Sequence, residues 1–348
     1  MTETPPVPSP AAESSGTLTG RGPLPVAELH LHIEGTFEPD LVRRLAERNG
    51  LPVPPAVAAG ADYAFADLQS FLDVYYDNMA VLVTAEDFHD LTRAYLDRAR
   101  VAGVRRAEIF FDPQTHLERG VAFETVVQGI TSALAEEGPG GISGDLILCV
   151  LRHLGPDAAL EMLELALASG QPFIGLGLDS TELGNPSEGY APVYARAAEA
   201  GLRLVAHAGE EGDPSYVWGA LDALHVERID HGIRSMEDPA LVERLRADQI
   251  PLTVCPLSNV ALKASGPMPE HPLLKMLDAG LVVCVNSDDP AYFGGYVDDN
   301  FDAIRRDLGA DDATCARLAR NSIVASFAEP SEKAALLAEI DAWEAWPS

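Results

Sequence analysis

The sequence predicts an α/β fold, a closed (β/α)8 TIM-type barrel. Three observations carry that expectation. From Pro23 onward, short β-rich runs alternate with helical patterns. Eight such runs can be marked, and eight alternating units favour a closed barrel over an open doubly wound sheet. Polar residues able to do chemistry gather where the runs end.

The runs span residues 26–32, 104–111, 145–152, 172–179, 202–207, 225–231, 251–255 and 281–286. Several are almost continuously apolar, as in Leu146-Ile147-Leu148-Cys149-Val150-Leu151. Strands apolar on both faces belong in a parallel sheet covered by helices. Helical patterns such as 157–168 and 238–247 lie between them. About 70 residues separate the first two runs, with helical patterns at 39–48, 67–78 and 85–102. A crossover needs a single helix, so the extra helices are expected to lie over the barrel mouth as a lid. Residues 1–22, rich in Pro, Ser, Thr and Gly, are expected to form a flexible tail. Residues 23–348 are expected to form one barrel domain, with no internal repeat.

Composition narrows the function classes. Of 348 residues, 54 are acidic and 24 basic, a formal charge of -30. Nucleic acid and anionic membranes reward clustered Lys and Arg, so neither is an expected partner. The charge itself reads as a solvated, self-repelling surface. Cys149, Cys255, Cys284 and Cys315 form no C-x-x-C pair, and most lie in apolar runs as small core hydrophobes. The first 20 residues hold no Lys or Arg and no apolar core of a signal peptide. No run is long enough to cross a bilayer. A cytoplasmic protein is the expectation.

The strand ends carry the chemistry. The first run ends in His30-Leu31-His32, the fifth in His207-Ala208-Gly209-Glu210, the sixth in Asp230-His231-Gly232 and the eighth in Ser287-Asp288-Asp289-Pro290. In a barrel these ends converge on one mouth. His30 and His32 are two apart on a strand, so both side chains project to one side. His207 and Asp288 supply a third and a fourth donor. Three imidazoles and one carboxylate suit zinc best, with iron or manganese as alternatives. Such a metal lowers the pKa of a bound water from about 15.7 toward about 7. His231 then reads as the group that orients or deprotonates that water. Glu210 is a general-acid candidate if its surroundings keep it protonated. Glu211 fits better as a carboxylate at a helix start. Asp289 is placed to hydrogen-bond a substrate. His116 and His153 follow strands and are expected near the pocket. His89, His225 and His271 are expected to play no part.

These residues resemble the adenosine/adenine deaminase family of the amidohydrolase superfamily, in order and spacing across nearly the whole chain after the tail. The resemblance is closest to the microbial adenine deaminase branch. It rests on Glu28-Leu-His-Leu-His-Ile-Glu-Gly-Thr36, Phe110-Phe-Asp-Pro-Gln-Thr-His116, Gly177-Leu-Asp-Ser-Thr-Glu-Leu-Gly184, Val254-Cys-Pro-Leu-Ser-Asn259 and Asn286-Ser-Asp-Asp-Pro-Ala-Tyr-Phe-Gly-Gly295. It departs at Thr181, where Ser is usual. The resemblance implies one zinc per chain on His30, His32, His207 and Asp288. It implies that Glu210 protonates N1 of the purine, that His231 assists the zinc-bound water and that Asp289 contacts N7. The implied reaction is hydrolytic deamination of adenine to hypoxanthine and ammonia, in purine salvage. Alternatives are another 6-aminopurine, such as adenosine or an N6-substituted adenine, and a catalytically silent purine-binding protein. Glu34, Ser180, Gly177 and His116 are the further substrate-pocket candidates. Glu34, two residues past His32, is expected to reach the pocket rim and to exclude a ribose. The H-x-E and P-C-x-x-C pattern of the Cys-ligated zinc deaminases is absent.

Overall fold

A computed structural model describes residues 21–60, 63, 65 and 68–347. Eight parallel strands pair in sequence order: β1 Val26–His32, β2 Val104–Phe111, β3 Ser143–Leu151, β4 Gly175–Asp179, β5 Arg203–Ala208, β6 Arg228–His231, β7 Pro251–Val254 and β8 Val282–Val285. Helices lie between successive strands, giving a (β/α)8 barrel. The seam between β8 and β1 closes mostly at the mouth. There the Asp288 N–H donates to His30 O (3.0 Å) and the His32 N–H to Asp288 O (3.1 Å). Lower down, side chains complete it. Asn286 Oδ1 accepts from the Leu29 N–H (2.8 Å) and Ser322 Oγ from the Ala27 N–H (3.0 Å).

The expected runs at 172–179 and 225–231 start too early. Residues 172–174 precede β4, and His225 sits at a φ of 55° in a left-handed turn ahead of β6. The helical pattern at 85–102 is matched by Ala85–Ala102, which opens on a Thr84–Asp87 capping box. That helix packs against Phe123–Ala135 on the outside of the barrel. Of the helices inserted after β1, Leu68–Met79 is the one that lines the mouth. Residues 1–20 of the tail expected at 1–22 lie outside the described residues. Its last two residues are anchored: the Arg21 guanidinium lies 3.2 Å from the Trp343 ring centroid, and Trp343 Nε1 donates to Gly22 O (3.0 Å). No described helix is long and apolar enough to cross a membrane.

The barrel interior is layered. Phe110, Ile147, Cys149 and Val205 form a fully buried apolar layer. Below it, Glu108 joins the buried guanidinium groups of Arg106 (3.0 Å) and Arg228 (2.6 Å). Paired charges are the form in which an interior tolerates ionised groups. Above it stand the histidines, with the His30 ring 5.3 Å from that of Phe110.

Candidate active site

Four donor atoms converge at the mouth. His30, His32, His207 and Asp288 each place one ligand atom within 4.8 Å of the others, and all four residues are buried. The ring orientations are set from outside. His30 Nδ1 meets Thr253 Oγ1 (3.0 Å) and O (3.2 Å), and the oxygen of a carbonyl requires that Nδ1 carry the proton. Thr253 Oγ1 in turn donates to Asp230 Oδ1 (2.8 Å). His207 Nδ1 faces Asp230 Oδ2 at 3.6 Å, and His32 Nδ1 faces Asp179 Oδ2 at 3.6 Å. Ser258 Oγ donates to Asp288 Oδ2 (2.6 Å). Arg152, fully buried, donates to the carbonyl of His207 (2.5 Å) and so fixes the end of β5.

With every Nδ1 turned outward, lone pairs are left facing one another. His30 Nε2 lies 3.2 Å from Asp288 Oδ1, and His32 Nε2 lies 3.3 Å from His207 Nε2. His30 Nε2 has no hydrogen-bond partner. Buried acceptors crowded together are costly unless a cation joins them, so the donor set fits a divalent metal. Three imidazole nitrogens and one carboxylate oxygen, with His30 and Asp288 hydrogen-bonded from outside and His32 and His207 each facing a carboxylate, is the pattern of a metal centre with an open position.

Backbone strain marks the same place. Ser180, His231 and Asp288 have φ of 69°, 63° and 64°, a left-handed conformation that costs a non-glycine residue about 1–3 kcal/mol. All three line one cavity, together with His32, Asp112, Asp179, His207, Glu210 and Asp289. Leu68, Phe71, Leu72, Tyr75 and Tyr76 roof it from the helix Leu68–Met79. Gly35 allows the chain after β1 to press against this wall, since a Cβ there would lie 2.1 Å from Asp289 Oδ1.

The carboxyl groups are held far from their usual behaviour. Burial, then the charge of Asp288, pushes Glu210 well above the ordinary carboxylate range. Asp289 is raised by burial and then by Asp288, and Asp179 by burial and then by Asp112. A protonated carboxyl can donate a hydrogen bond, which a carboxylate cannot.

Several substrate-pocket candidates stand elsewhere than expected. Glu34 is fully buried and does not line the cavity. The chain turns after Ile33 into a short 3-10 segment, Glu34–Thr36, and the Glu34 carboxyl points behind the wall. Its Oε1 there accepts from His116 Nε2 (2.9 Å) and from the Asp112 N–H (3.2 Å). Arg119 Nη2 donates to His116 Nδ1 (2.8 Å). His116 is thus a support for Glu34, not a cavity residue. Gly177 lies within β4, where its missing Cβ leaves room for Cys149 Sγ. His153, exposed, meets Ser180 Oγ (2.7 Å) from outside the cavity.

Among the cavity and support residues that sequence reasoning missed are Asp112, Asn259 and His271. Asp112 Oδ1 is buried without a partner, and its Oδ2 accepts from Tyr75 OH (3.3 Å). Asn259 Nδ2 meets both Glu210 Oε1 (3.3 Å) and His231 Nδ1 (3.1 Å). His271, a loop residue, is buried against Asn259. Asp112 and Asn259 stand inside stretches that carried the family resemblance, but His271 has no such signal.

Comparison with known proteins agrees with this geometry. The chain is 57% identical over 326 residues to an adenine deaminase of Streptomyces coelicolor, covering 92% of this chain and 96% of the relative. It is 55% identical over 328 residues to an adenine deaminase of Cupriavidus pinatubonensis, covering 93% of each. The crystal structure of an adenine deaminase from Arthrobacter aurescens superposes with a TM-score of 0.90 at 58% identity, covering 92% of this chain and 99% of that one. An amidohydrolase of Burkholderia ambifaria, solved with bound zinc, matches with a TM-score of 0.83 at 28% identity over 92% of each chain. The model of the adenosine deaminase family matches residues 25–343, a span that holds every barrel strand and every cavity residue. The chain belongs to the adenosine deaminase family.

Proposed function

We propose that this chain hydrolyses adenine to hypoxanthine and ammonia, with one zinc ion on His30, His32, His207 and Asp288. The observation that carries the reading is the junction of two features. A four-donor cluster stands beside Glu210, whose carboxyl is buried and held by that burial well above the ordinary carboxylate range, in a cavity roofed by aromatic side chains. The relatives named for adenine deamination supply the substrate.

A divalent metal supplies Lewis acidity, which makes hydroxide available from water near neutral pH. The protein's own groups do the rest. Glu210 donates its proton to N1 of the ring, drawing electrons away from C6 as the water oxygen bonds there. Asp289, whose carboxyl burial also holds well above the ordinary carboxylate range, is the group to donate a hydrogen bond to N7. The first proton of the water, released as it is activated, balances the one that Glu210 gives up and regains; the second passes to the exocyclic nitrogen, the C6–N6 bond breaks and ammonia leaves. The ring keeps a proton on N1 and an oxygen on C6, which is hypoxanthine.

For the choice between free base and nucleoside, Asp112 replaces Glu34 as the discriminating carboxyl. It lines the cavity with an unpartnered oxygen, suited to accept the N9–H that adenine has and adenosine lacks. Glu34 and His116 act behind it by fixing its backbone. We read the protein as one barrel domain over residues 23–348, acting in cytoplasmic purine salvage. Its four free, buried cysteines suit a reducing compartment. The test is a spectrophotometric screen of zinc-loaded protein against adenine, adenosine and N6-methyladenine. Preference for adenine is expected; preference for adenosine would overturn the substrate assignment.

A further inference from the structure

A directional chain of hydrogen bonds runs from a backbone amide to the reacting side of the site. It begins at the Leu273 N–H, which can only donate. Its acceptor is His271 Nδ1, at 3.2 Å. That nitrogen therefore keeps its lone pair, and the proton of the ring sits on Nε2. His271 Nε2 lies 3.3 Å from Asn259 Oδ1, which accepts. The Asn259 amide is oriented by this contact, and its Nδ2 donates to His231 Nδ1 at 3.1 Å. His231 Nδ1 must then be the acceptor. The proton of the neutral His231 ring sits on Nε2, 3.4 Å from Glu210 Oε2 and 3.8 Å from Asp288 Oδ2.

We propose that His271 and Asn259 are positioning residues that lock His231 in the Nε2–H form, so that His231 meets the adding oxygen as a hydrogen-bond donor and not as its base. Reversing the chain is unfavourable at every link. A proton on His231 Nδ1 would face the Asn259 NH2. Turning the amide over would set that NH2 against the His271 Nε2–H. Protonating His271 Nδ1 would point it at the Leu273 N–H. His231, Asn259 and His271 are all buried, so water cannot easily relieve these clashes. Of the two roles that the sequence left open for His231, the arrangement favours orienting the water over deprotonating it.

The protonation form stands on the structure alone; its consequence for turnover rests on the deaminase reading. The primary experiment is long-range ¹H–¹⁵N NMR of the imidazoles in full-length, zinc-loaded protein, with the His231 signals assigned by their loss in His231→Gln. A neutral His231 ring with its proton on Nε2 is expected. A proton on Nδ1, or on both nitrogens, would overturn the proposal. His271→Phe keeps the ring volume and removes the donor to Asn259. It should mix the two forms of His231 and lower kcat for adenine by about 10–100-fold, the usual worth of an outer hydrogen-bond partner, with KM little changed. His271→Gln still offers an N–H and should recover most of both. Equal spectra and equal kcat in the Phe and Gln variants would show that His271 only fills space. If the Phe variant fails to fold, the wild-type spectrum and the Gln variant still decide. A wild-type Nε2–H signal without adenine turnover would uphold the positioning and reject the deaminase reading.

Discussion

The barrel and its roof are built from different materials. The barrel core is one continuous cluster, rich in Leu, Val, Ile and Ala, that reaches from β1 to the C-terminal helix Pro330–Glu344. The roof is a separate cluster of Phe71, Leu72, Tyr75, Met79, Tyr292 and Phe293. Two rings of the roof are tied by hydroxyls, with Asn78 Nδ2 donating to Tyr292 OH (2.9 Å) and to Tyr63 OH (3.1 Å). Aliphatic side chains interdigitate into a rigid solid, which can hold four donor groups and three strained residues in register. A small aromatic cluster presents flat, apolar surface to a flat ring and opens at lower cost. The division implies that chemistry resides in the barrel and selection in the roof and at its seam.

The largest expected effect tests the barrel half of that comparison. His207→Ala should bring metal content from about one per chain toward zero, and adenine turnover with it, as measured by elemental analysis alongside rates. Full activity in metal-free protein would remove the barrel's claim to the chemistry. Glu210→Gln comes next. It keeps the shape and the Asn259 contact but has no carboxyl proton to donate. Metal content should persist while kcat falls by about 10²–10⁴-fold. Loss of metal would instead show that Glu210 supports the ligand cluster.

How much of this was legible beforehand follows the same division. The eight strands and the four donors could be read because β/α alternation and strand-end position are periodic features of the chain. The helix Leu68–Met79 was readable as a helix, but its place over the mouth followed only from counting one helix too many for a crossover. Glu34 was misplaced because its offset from His32 assumes that the strand continues. The β1–β2 ladder ends with the Ile33 N–H bonded to Phe110 O (2.9 Å); Ile33 then takes a helical φ of -62° and ψ of -37°, and the chain turns into Glu34–Thr36. His271 was passed over because a loop histidine carries no periodic signal. Its contact with Asn259, 12 residues away, exists only once the loop after β7 folds back.

The seam between the halves is the next test. Tyr75 OH on the roof donates to Asp112 Oδ2 at the end of β2. Asp112→Asn keeps the size but removes the charge, so kcat/KM for adenine should fall by about 10–100-fold, the range of a lost charged hydrogen bond. Activity on 9-methyladenine, which has no N9–H, should change far less. Glu34→Asp should act on adenine in the same direction but more weakly, since of Asp112 it touches only the backbone. Equal losses on both substrates in Asp112→Asn would remove its role in reading N9.

The smallest expected effect on turnover, and the sharpest on the comparison, comes from the roof itself. Phe71 is 3% exposed, with its ring centroid 4.6 Å from Phe293 and 5.1 Å from Tyr75. Leu148 in β3 is fully buried in the main core. Leu148→Ala leaves a cavity in a structure that relaxes little, and should cost about 2–5 kcal/mol of global stability. Phe71→Leu thins a cluster that touches the core only in part, so much of its cost should appear as local opening and not as global unfolding. Metal content should stay at wild type, KM for adenine should rise and kcat should hold, because no group that moves a proton is touched. Calorimetry and hydrogen exchange separate the two cases. In Phe71→Leu, faster exchange should be confined to the helix Leu68–Met79 and its neighbours around Tyr292, with Tm moving less than in Leu148→Ala. If instead both variants lower Tm alike and exchange quickens across the barrel strands, the roof and the barrel are one cooperative unit. The aromatic cluster would then be part of the scaffold, and selection would have to be sought in the carboxyl groups at the strand ends alone.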